Sequence, residues 1–271
     1  MHLPGRPFSR RCWLPATEAT RHVRAIWGTL SLRILVTRPA LDQDQTCKAL
    51  RALGIEPVSA PVMEAQGLQF CLPEQAWQAV VVTSRNGLRM LEPAQIAQLR
   101  LRPLYCVGAK TESLAHDLGF ETIEMCAPDL AVLTPALVSR LNPAGGPVLY
   151  LTGRHRTGSL KAALETAGLR VEQVESYDMV ASPTLPEDAL TAIRKGGIDG
   201  VLLYSQRSSQ LFLSIAREQG LEAQLGGLTF YCLSPAIATL IKEAGYPLVV
   251  ADAPNEKSLL ASLEKGRNYL I

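Results

Sequence analysis

The sequence predicts an α/β protein of two similar parallel-sheet domains, and three observations carry that expectation. The first is an internal repeat. "ILVTRP…ALRALGIEPVSAPV" at 34–62 is echoed by "VLYLTGR…ALETAGLRVEQVES" at 148–176, and "VVVTSRNGLRML" at 80–91 returns as "VLLYSQRSSQLFL" at 201–213. Further on, "LYCVGAKTESLAHDLGF" at 104–120 returns as "FYCLSPAIATLIKEAGY" at 230–246, and "CAPDLAVLTPAL" at 126–137 as "DAPNEKSLLASL" at 252–263. The offset between equivalents grows slowly, from 114 residues (Gly54 to Gly168) through 121 (Ser84 to Ser205) to 126 (Gly119 to Gly245). The same units recur in the same order, with short insertions in the second copy.

The second observation is alternation. Short β-branched apolar runs at Ile34–Thr37, Pro57–Pro61, Ala79–Thr83, Leu104–Val107 and Glu121–Met125 read as strands. Between most of them lie helical patterns closed by glycine, as in Leu50-Arg51-Ala52-Leu53-Gly54, the sign of a helix C-terminus. Near-continuous apolar strands separated by helices imply a parallel sheet covered on both faces. Two copies give two five-stranded units of flavodoxin-like kind. The third observation is length. "EPVSAPVMEAQGLQF" (56–70) and "RVEQVESYDMVASP" (170–183) exceed what one strand needs. Their surplus alternates apolar and polar residues, which suits a two-stranded inter-domain ladder. The expected domains are then 32–66 with 180–268, and 70–176.

Composition places the chain among ordinary globular proteins. It has 271 residues, 47% apolar and 19% charged, with a formal net charge of +2, too small to argue for nucleic acid. The basic excess is concentrated in front. Arg6, Arg10, Arg11, Arg21, Arg24 and Arg33 face the single acid Glu18. Residues 1–31 carry no apolar signal core and are read as a basic leader outside the fold, either a disordered extension or an upstream start. The six cysteines show no C-x-x-C and no clustering, which suits reduced thiols in a cytoplasmic protein. The uncharged window 223–241 holds glycines, a proline and hydroxyls, and reads as strand plus helix rather than a membrane span.

"VLYLTGRHRTGSLK" at 148–161 nearly reproduces a phosphate-cradling loop, G-x-x-x-x-G-K-[ST]. Ser159 stands where the lysine belongs and Leu160 where the magnesium-binding hydroxyl belongs. The equivalent stretch of the first copy, "VTRPALDQDQT", has no glycine. Nucleotide binding is therefore not expected, and no G-x-G-x-x-G follows any strand. The four histidines have no metal-binding spacing. What the repeat does offer is anion capture. The loops beyond the strand ends pair hydroxyls or glycines with helix starts: Thr37-Arg38-Pro39, Thr83-Ser84-Arg85-Asn86, Gly108-Ala109-Lys110-Thr111, Thr152-Gly153-Arg154, Tyr204-Ser205-Gln206-Arg207 and Leu233-Ser234-Pro235. Helix N-termini hold carboxylates or phosphates. Any one of these hydroxyls could simply cap its helix. Six such loops facing one cleft point to a polyanionic ligand.

Taken in order, "LVTRP", "VVVTSRNGL", "YCVGAKTESLAHDLG", "VLYLTGR…L…L…AG", "ESYDMV" and "APNEKSLLASL" resemble the uroporphyrinogen-III synthase family over about residues 32–268. The resemblance implies a cofactor-free lyase of tetrapyrrole (heme) biosynthesis. Its substrate, the linear tetrapyrrole hydroxymethylbilane with eight carboxylates, loses water and closes to uroporphyrinogen III with the last ring inverted through a spiro intermediate. It also implies two flavodoxin-like domains joined by a two-stranded ladder, with Tyr177 of "ESYDMV" as the candidate acid or hydrogen-bond donor. Arg38, Ser84, Arg85, Lys110, Thr111, Arg154, Ser205, Gln206, Arg207 and Ser234 are the candidate substrate contacts. Where the family often has Gly-Pro-Thr-Thr, this chain has Ser234-Pro235-Ala236-Ile237, so a hydroxyl contact there falls to Ser234. The expected protein is a cytoplasmic monomer with a small-molecule partner, no metal, no nucleic acid and no membrane. A two-lobed binding or sensor module for an anionic ligand is the alternative.

Overall fold

The computed structural model describes residues 31–155 and 160–268. The basic leader, apart from Ser31, and Ser159 of the glycine-containing loop lie outside the described residues. The first half of the chain runs β1 (Arg33–Val36), α1 (Asp44–Ala52), β2 (Glu56–Ser59), β3 (Met63–Gly67), β4 (Ala79–Val82), α2 (Arg85–Arg89), α3 (Pro93–Leu99), β5 (Leu104–Val107), α4 (Ala109–Asp117), β6 (Ile123–Ala127) and α5 (Leu130–Arg140). The second half runs β7 (Val148–Gly153), α6 (Leu160–Thr166), β8 (Val171–Ala181), α7 (Glu187–Arg194), β9 (Gly200–Leu203), α8 (Gln206–Glu218), α9 (Glu222–Leu225), β10 (Thr229–Cys232), α10 (Pro235–Glu243), β11 (Leu248–Val250) and α11 (Glu256–Asn268).

The chain divides into two compact units, one of the residues up to Val62 with those from Pro183 onward, the other of Met63–Ser182. The first unit holds a parallel sheet in the order β11-β10-β9-β1-β2. The second holds β3-β8-β7-β4-β5-β6, parallel except for β3. By place within a repeat, both sheets run 2-1-3-4-5, the flavodoxin-like order. The repeats are exchanged, however. Each sheet takes its first two strands from one copy and its last three from the other. The pattern explains why strands such as "AVVV" are apolar throughout. Val80 and Val82 face one core with Leu149 and Leu151, while Ala79 and Val81 face another with Val148 and Tyr150.

The second sheet has a sixth strand, β3, whose antiparallel pairing with β8 is the two-stranded ladder expected from the surplus of 56–70 and 170–183. β8 is 11 residues long. Its first part pairs in parallel with β7, and its last five residues pair antiparallel with β3, from Tyr177↔Gly67 to Ala181↔Met63. The first copy divides its surplus differently. Pro61 has no N–H to give a ladder, and the chain breaks there, so β2 and β3 fall in different sheets. Pro57 is accommodated because β2 is an edge strand. β6 begins two residues later than expected, since the N–H of Glu121 goes to the carbonyl of Arg100, and β5 and β6 pair with a register shift.

Gly200, fully buried in β9, tests the packing. A Cβ there would lie 2.6 Å from the Thr229 oxygen and 2.7 Å from the Tyr231 ring. Gly200→Ala is expected to cost about 1–3 kcal/mol of stability through overpacking, read as a lowered denaturant midpoint. Burial also pushes the Cys106 and Cys232 thiols, and the Tyr231 phenol, up to about 12. An unfolded chain ionises such thiols near 9 and phenols near 10, while the folded chain keeps its protons until about 12. Stability is therefore full below pH ~9 and falls as pH rises toward ~12. Urea melts at pH 8 and pH 11 should show the decline.

Candidate active site

In an open α/β sheet the crevice lies beyond the carboxyl ends of the strands, where the strand order reverses. In the first unit that point is between β1 and β9. Thr37 follows β1 and is fully buried, its hydroxyl donating to the Leu202 carbonyl at 2.7 Å. The Gln43 amide donates to the carbonyls of Val36 and Arg38 at 3.1 and 2.6 Å, which fixes the path of the Arg38 loop. The Arg38 guanidinium stacks 4.5 Å above the Tyr204 ring and pairs with Glu256 at 2.9 Å. Thr46 donates its hydroxyl to the same carboxylate oxygen. Burial pushes the Tyr204 phenol up to about 12, with Thr46 opposing the shift and Glu256 adding to it.

On the same sheet Ser205 starts α8 with a reciprocal capping box. Its hydroxyl accepts from the Ser208 N–H at 3.1 Å, and the Ser208 hydroxyl accepts from the Ser205 N–H at 3.1 Å. Exposed Gln206 donates to the Ala236 carbonyl at 3.3 Å, tying the start of α8 to the start of α10. Arg207 is half-buried. Ser234 occupies the N-cap position of α10 with extended backbone, but its side chain makes no capping hydrogen bond.

In the second unit the order reverses between β7 and β4. Ser84 caps α2, accepting from the Asn86 N–H at 3.3 Å. Arg85 is half-buried, and Asn86 is buried, accepting from Arg89 at 2.9 Å and donating toward the Met179 sulfur at 3.6 Å. Gly108, at φ +84°, caps α4, and Lys110 stands exposed in its first turn. Thr111 is the third residue of that helix and only 3% exposed, so it does not sit at the cap. Arg154 follows β7. It pairs with Asp178 at 3.1 Å and Glu175 at 3.5 Å, and His155 lies 3.6 Å from the other Asp178 oxygen. Tyr177 is buried on β8, and its carbonyl accepts from the Arg154 N–H at 2.9 Å.

The fold thus brings the predicted residues to the carboxyl ends of their own sheets: Arg38, Ser205, Gln206, Arg207 and Ser234 on the first, and Ser84, Arg85, Lys110, Thr111, Arg154 and Tyr177 on the second. Sequence reasoning missed Glu256 and Asp178, the carboxylates that hold the two arginines. Asp178 could have been noticed beside Tyr177. Glu256 lies 218 residues from Arg38, and nothing in the sequence connects them.

Two flavodoxin-like units carrying duplicated helix-start loops define a paired-domain α/β protein. The family model described as uroporphyrinogen-III synthase HemD matches residues 44–261. A uroporphyrinogen-III synthetase from Helicobacter pylori shares 18% identity, covering 87% of this chain and 100% of that one, with a TM-score of 0.61. A mutant uroporphyrinogen III synthase from Thermus thermophilus shares 16% identity over 89% of this chain and 99% of that one, with a TM-score of 0.48. No curated protein sequence matches. The chain belongs to the uroporphyrinogen-III synthase family. It is a lyase of tetrapyrrole biosynthesis that cyclises hydroxymethylbilane to uroporphyrinogen III.

The two caps give a stability contrast. Ser205→Ala removes a formed capping box and should cost about 1 kcal/mol. Ser234→Ala removes no capping bond and should leave the denaturation midpoint close to that of the parent. Ser234→Ala is then the cleaner probe of a substrate contact.

Proposed function

We propose that the loops at the carboxyl ends of the two sheets bind the carboxylates of hydroxymethylbilane, and that Tyr177 assists departure of its hydroxyl. Arg38, Arg154, Arg85, Lys110 and Arg207 supply charge. Ser84, Ser205, Gln206 and Ser234 supply polar contacts, together with the N–H groups of the helix starts. Thr111, being buried, shapes the start of α4 and leaves contact there to Lys110 and the backbone. The protein acts as a cytoplasmic monomer on a small molecule, without nucleic acid, membrane or metal. Its free cysteines Cys47, Cys71, Cys106, Cys126 and Cys232 suit a reducing compartment, and among the described residues no helix is long and apolar enough to cross a membrane.

The single observation that carries the catalytic part is the place of Tyr177. It stands level with the last residue of β7, one strand from the reversal point of its sheet. The reaction breaks one C–O bond, and inversion of the last ring breaks one C–C bond and forms two, with the proton on the free ring carbon released. A hydrogen bond or proton from the phenol lets the hydroxyl leave as water. The azafulvene that remains is reactive enough to close unaided to the unrearranged isomer I. The enzyme's larger task is orientation: it must hold the chain so that attack at the substituted carbon of the last ring wins. Acid assistance is the smaller contribution.

Purified protein given freshly generated hydroxymethylbilane should yield predominantly uroporphyrin III after oxidation, with Tyr177→Phe lowering the turnover rate roughly tenfold or more. Isomer I alone, at the spontaneous rate and from folded protein, is the result that would leave only anion binding.

A further inference from the structure

In sequence Gly153 resembles the first glycine of a phosphate loop, but its surroundings give it a different task. β7 and β8 pair residue for residue from Val148↔Val171 to Thr152↔Glu175, and then the register slips so that Gly153 stands opposite Tyr177. Ser176 is the extra residue. Had the register not slipped, Gly153 would face Ser176 and Tyr177 would lie past the end of β7. Bulges of this kind re-aim a side chain and recur beside active sites. Ser176 is itself fully buried, its hydroxyl 3.5 Å from the Gly87 carbonyl on α2, so the inserted residue is packed in place rather than looped out.

The slip delivers the Tyr177 ring onto the bare Cα of Gly153. A Cβ on Gly153 would lie 2.7 Å from Cζ, 2.8 Å from Cε2 and 3.0 Å from the hydroxyl oxygen of Tyr177. The clash is with the hydroxyl-bearing end of the ring. Any side chain at 153 would press first on the ring carbons that carry the hydroxyl, and so move the phenolic oxygen with them. On its other side Tyr177 pairs with a second glycine, Gly67 of β3. Gly67 has room for a methyl group, with its nearest neighbour, a Met90 side-chain atom, at 3.6 Å. The steric demand for glycine is thus confined to the strand that touches the hydroxyl.

We infer that Gly153 is a positioning residue: with the Ser176 bulge it sets where the Tyr177 hydroxyl stands, and the rate of hydroxyl departure depends on that seat. The inference rests on the reading of Tyr177 as the group that assists departure. A packing role alone, an aromatic ring covering a glycine in the neighbouring strand, would put the effect of Gly153→Ala into stability and leave turnover alone.

A double-mutant cycle separates the cases. The parent, Gly153→Ala, Tyr177→Phe and the double variant are compared for kcat and KM of uroporphyrinogen III formation, with a melting curve for each. Seating the methyl requires displacement of the phenol by several tenths of an ångström or more. Gly153→Ala should therefore lower kcat roughly 10- to 100-fold with KM within about twofold. The double variant should turn over no more slowly than the slower single variant. Losses that multiply in the double variant, or a Gly153→Ala protein with parental kcat and only a lowered melting point, would falsify the positioning role. A Tyr177→Phe protein with parental kcat overturns the underlying reading of Tyr177, and the inference with it. Should Gly153→Ala fail to fold, Gly153→Ala with Tyr177→Ala is the deciding variant. Its kcat is compared with that of Tyr177→Ala alone: a recovered fold with equal kcat supports the seat, and continued unfolding or a further loss of kcat overturns it.

Discussion

Two ladder contacts, β1 with β9 and β7 with β4, organise everything else. Each joins the first strand of one repeat to the third strand of the other. Each also lies where both faces of the sheet are covered, so Val80, Val81, Val82, Leu35 and Val201 are fully buried. Burying such a side chain is worth about 1.5–3 kcal/mol, and the pairing aligns several of them at once. The same contacts create the reversal of strand order in each sheet. Arg38 and Ser205 come to opposite sides of one reversal, and Arg154 and Ser84 to opposite sides of the other, because these strands pair as they do.

The electrostatics at the two reversals are alike in kind. An arginine follows the first strand in each unit, and each is held by carboxylates of its own chain, Glu256 in one case and Asp178 with Glu175 in the other. These pairs are part-exposed, and pairs of that sort contribute at most about 1 kcal/mol. They orient the guanidinium groups at the strand ends. The helix starts beside each arginine add partial positive charge of their own.

The repeat made the strands, their order and the two-unit architecture readable from the residues, because each repeat unit reports its own period and its closing glycine. The surplus in 56–70 and 170–183 also showed the paired strands β3 and β8, but the bulge was not readable. "VEQVESYDMVA" alternates smoothly in sequence, and only the partner strand shows that Ser176 is one residue too many. The residues around the candidate site were found by their types and places beside strand ends. Their partners were not, because Glu256 reaches Arg38 across almost the whole chain. Thr111 looked like a cap and is a buried helix residue, since Gly108 had already taken the cap position with a left-handed backbone. Gly153 carried the most misleading signal: a glycine required by a neighbouring ring looks, in one dimension, the same as a glycine required by a phosphate.

The exchange of strands between repeats also sets an order of assembly. Met63–Ser182 is one continuous stretch, so the second unit has all its strands as soon as residue 182 has been made. The first unit does not. β1 and β2 are synthesised first, yet their sheet partner β9 arrives only at Gly200, and β10 and β11 later still. Chains fold largely from the amino end as they are made, but here β1 and β2 must wait with an unpaired edge, apolar at Ile34, Leu35 and Val36, while the middle of the chain completes itself. An exposed edge of that kind is a template for wrong pairing. The vulnerable species for this protein is thus a nascent chain with a finished second unit and an orphaned β1–β2 ribbon.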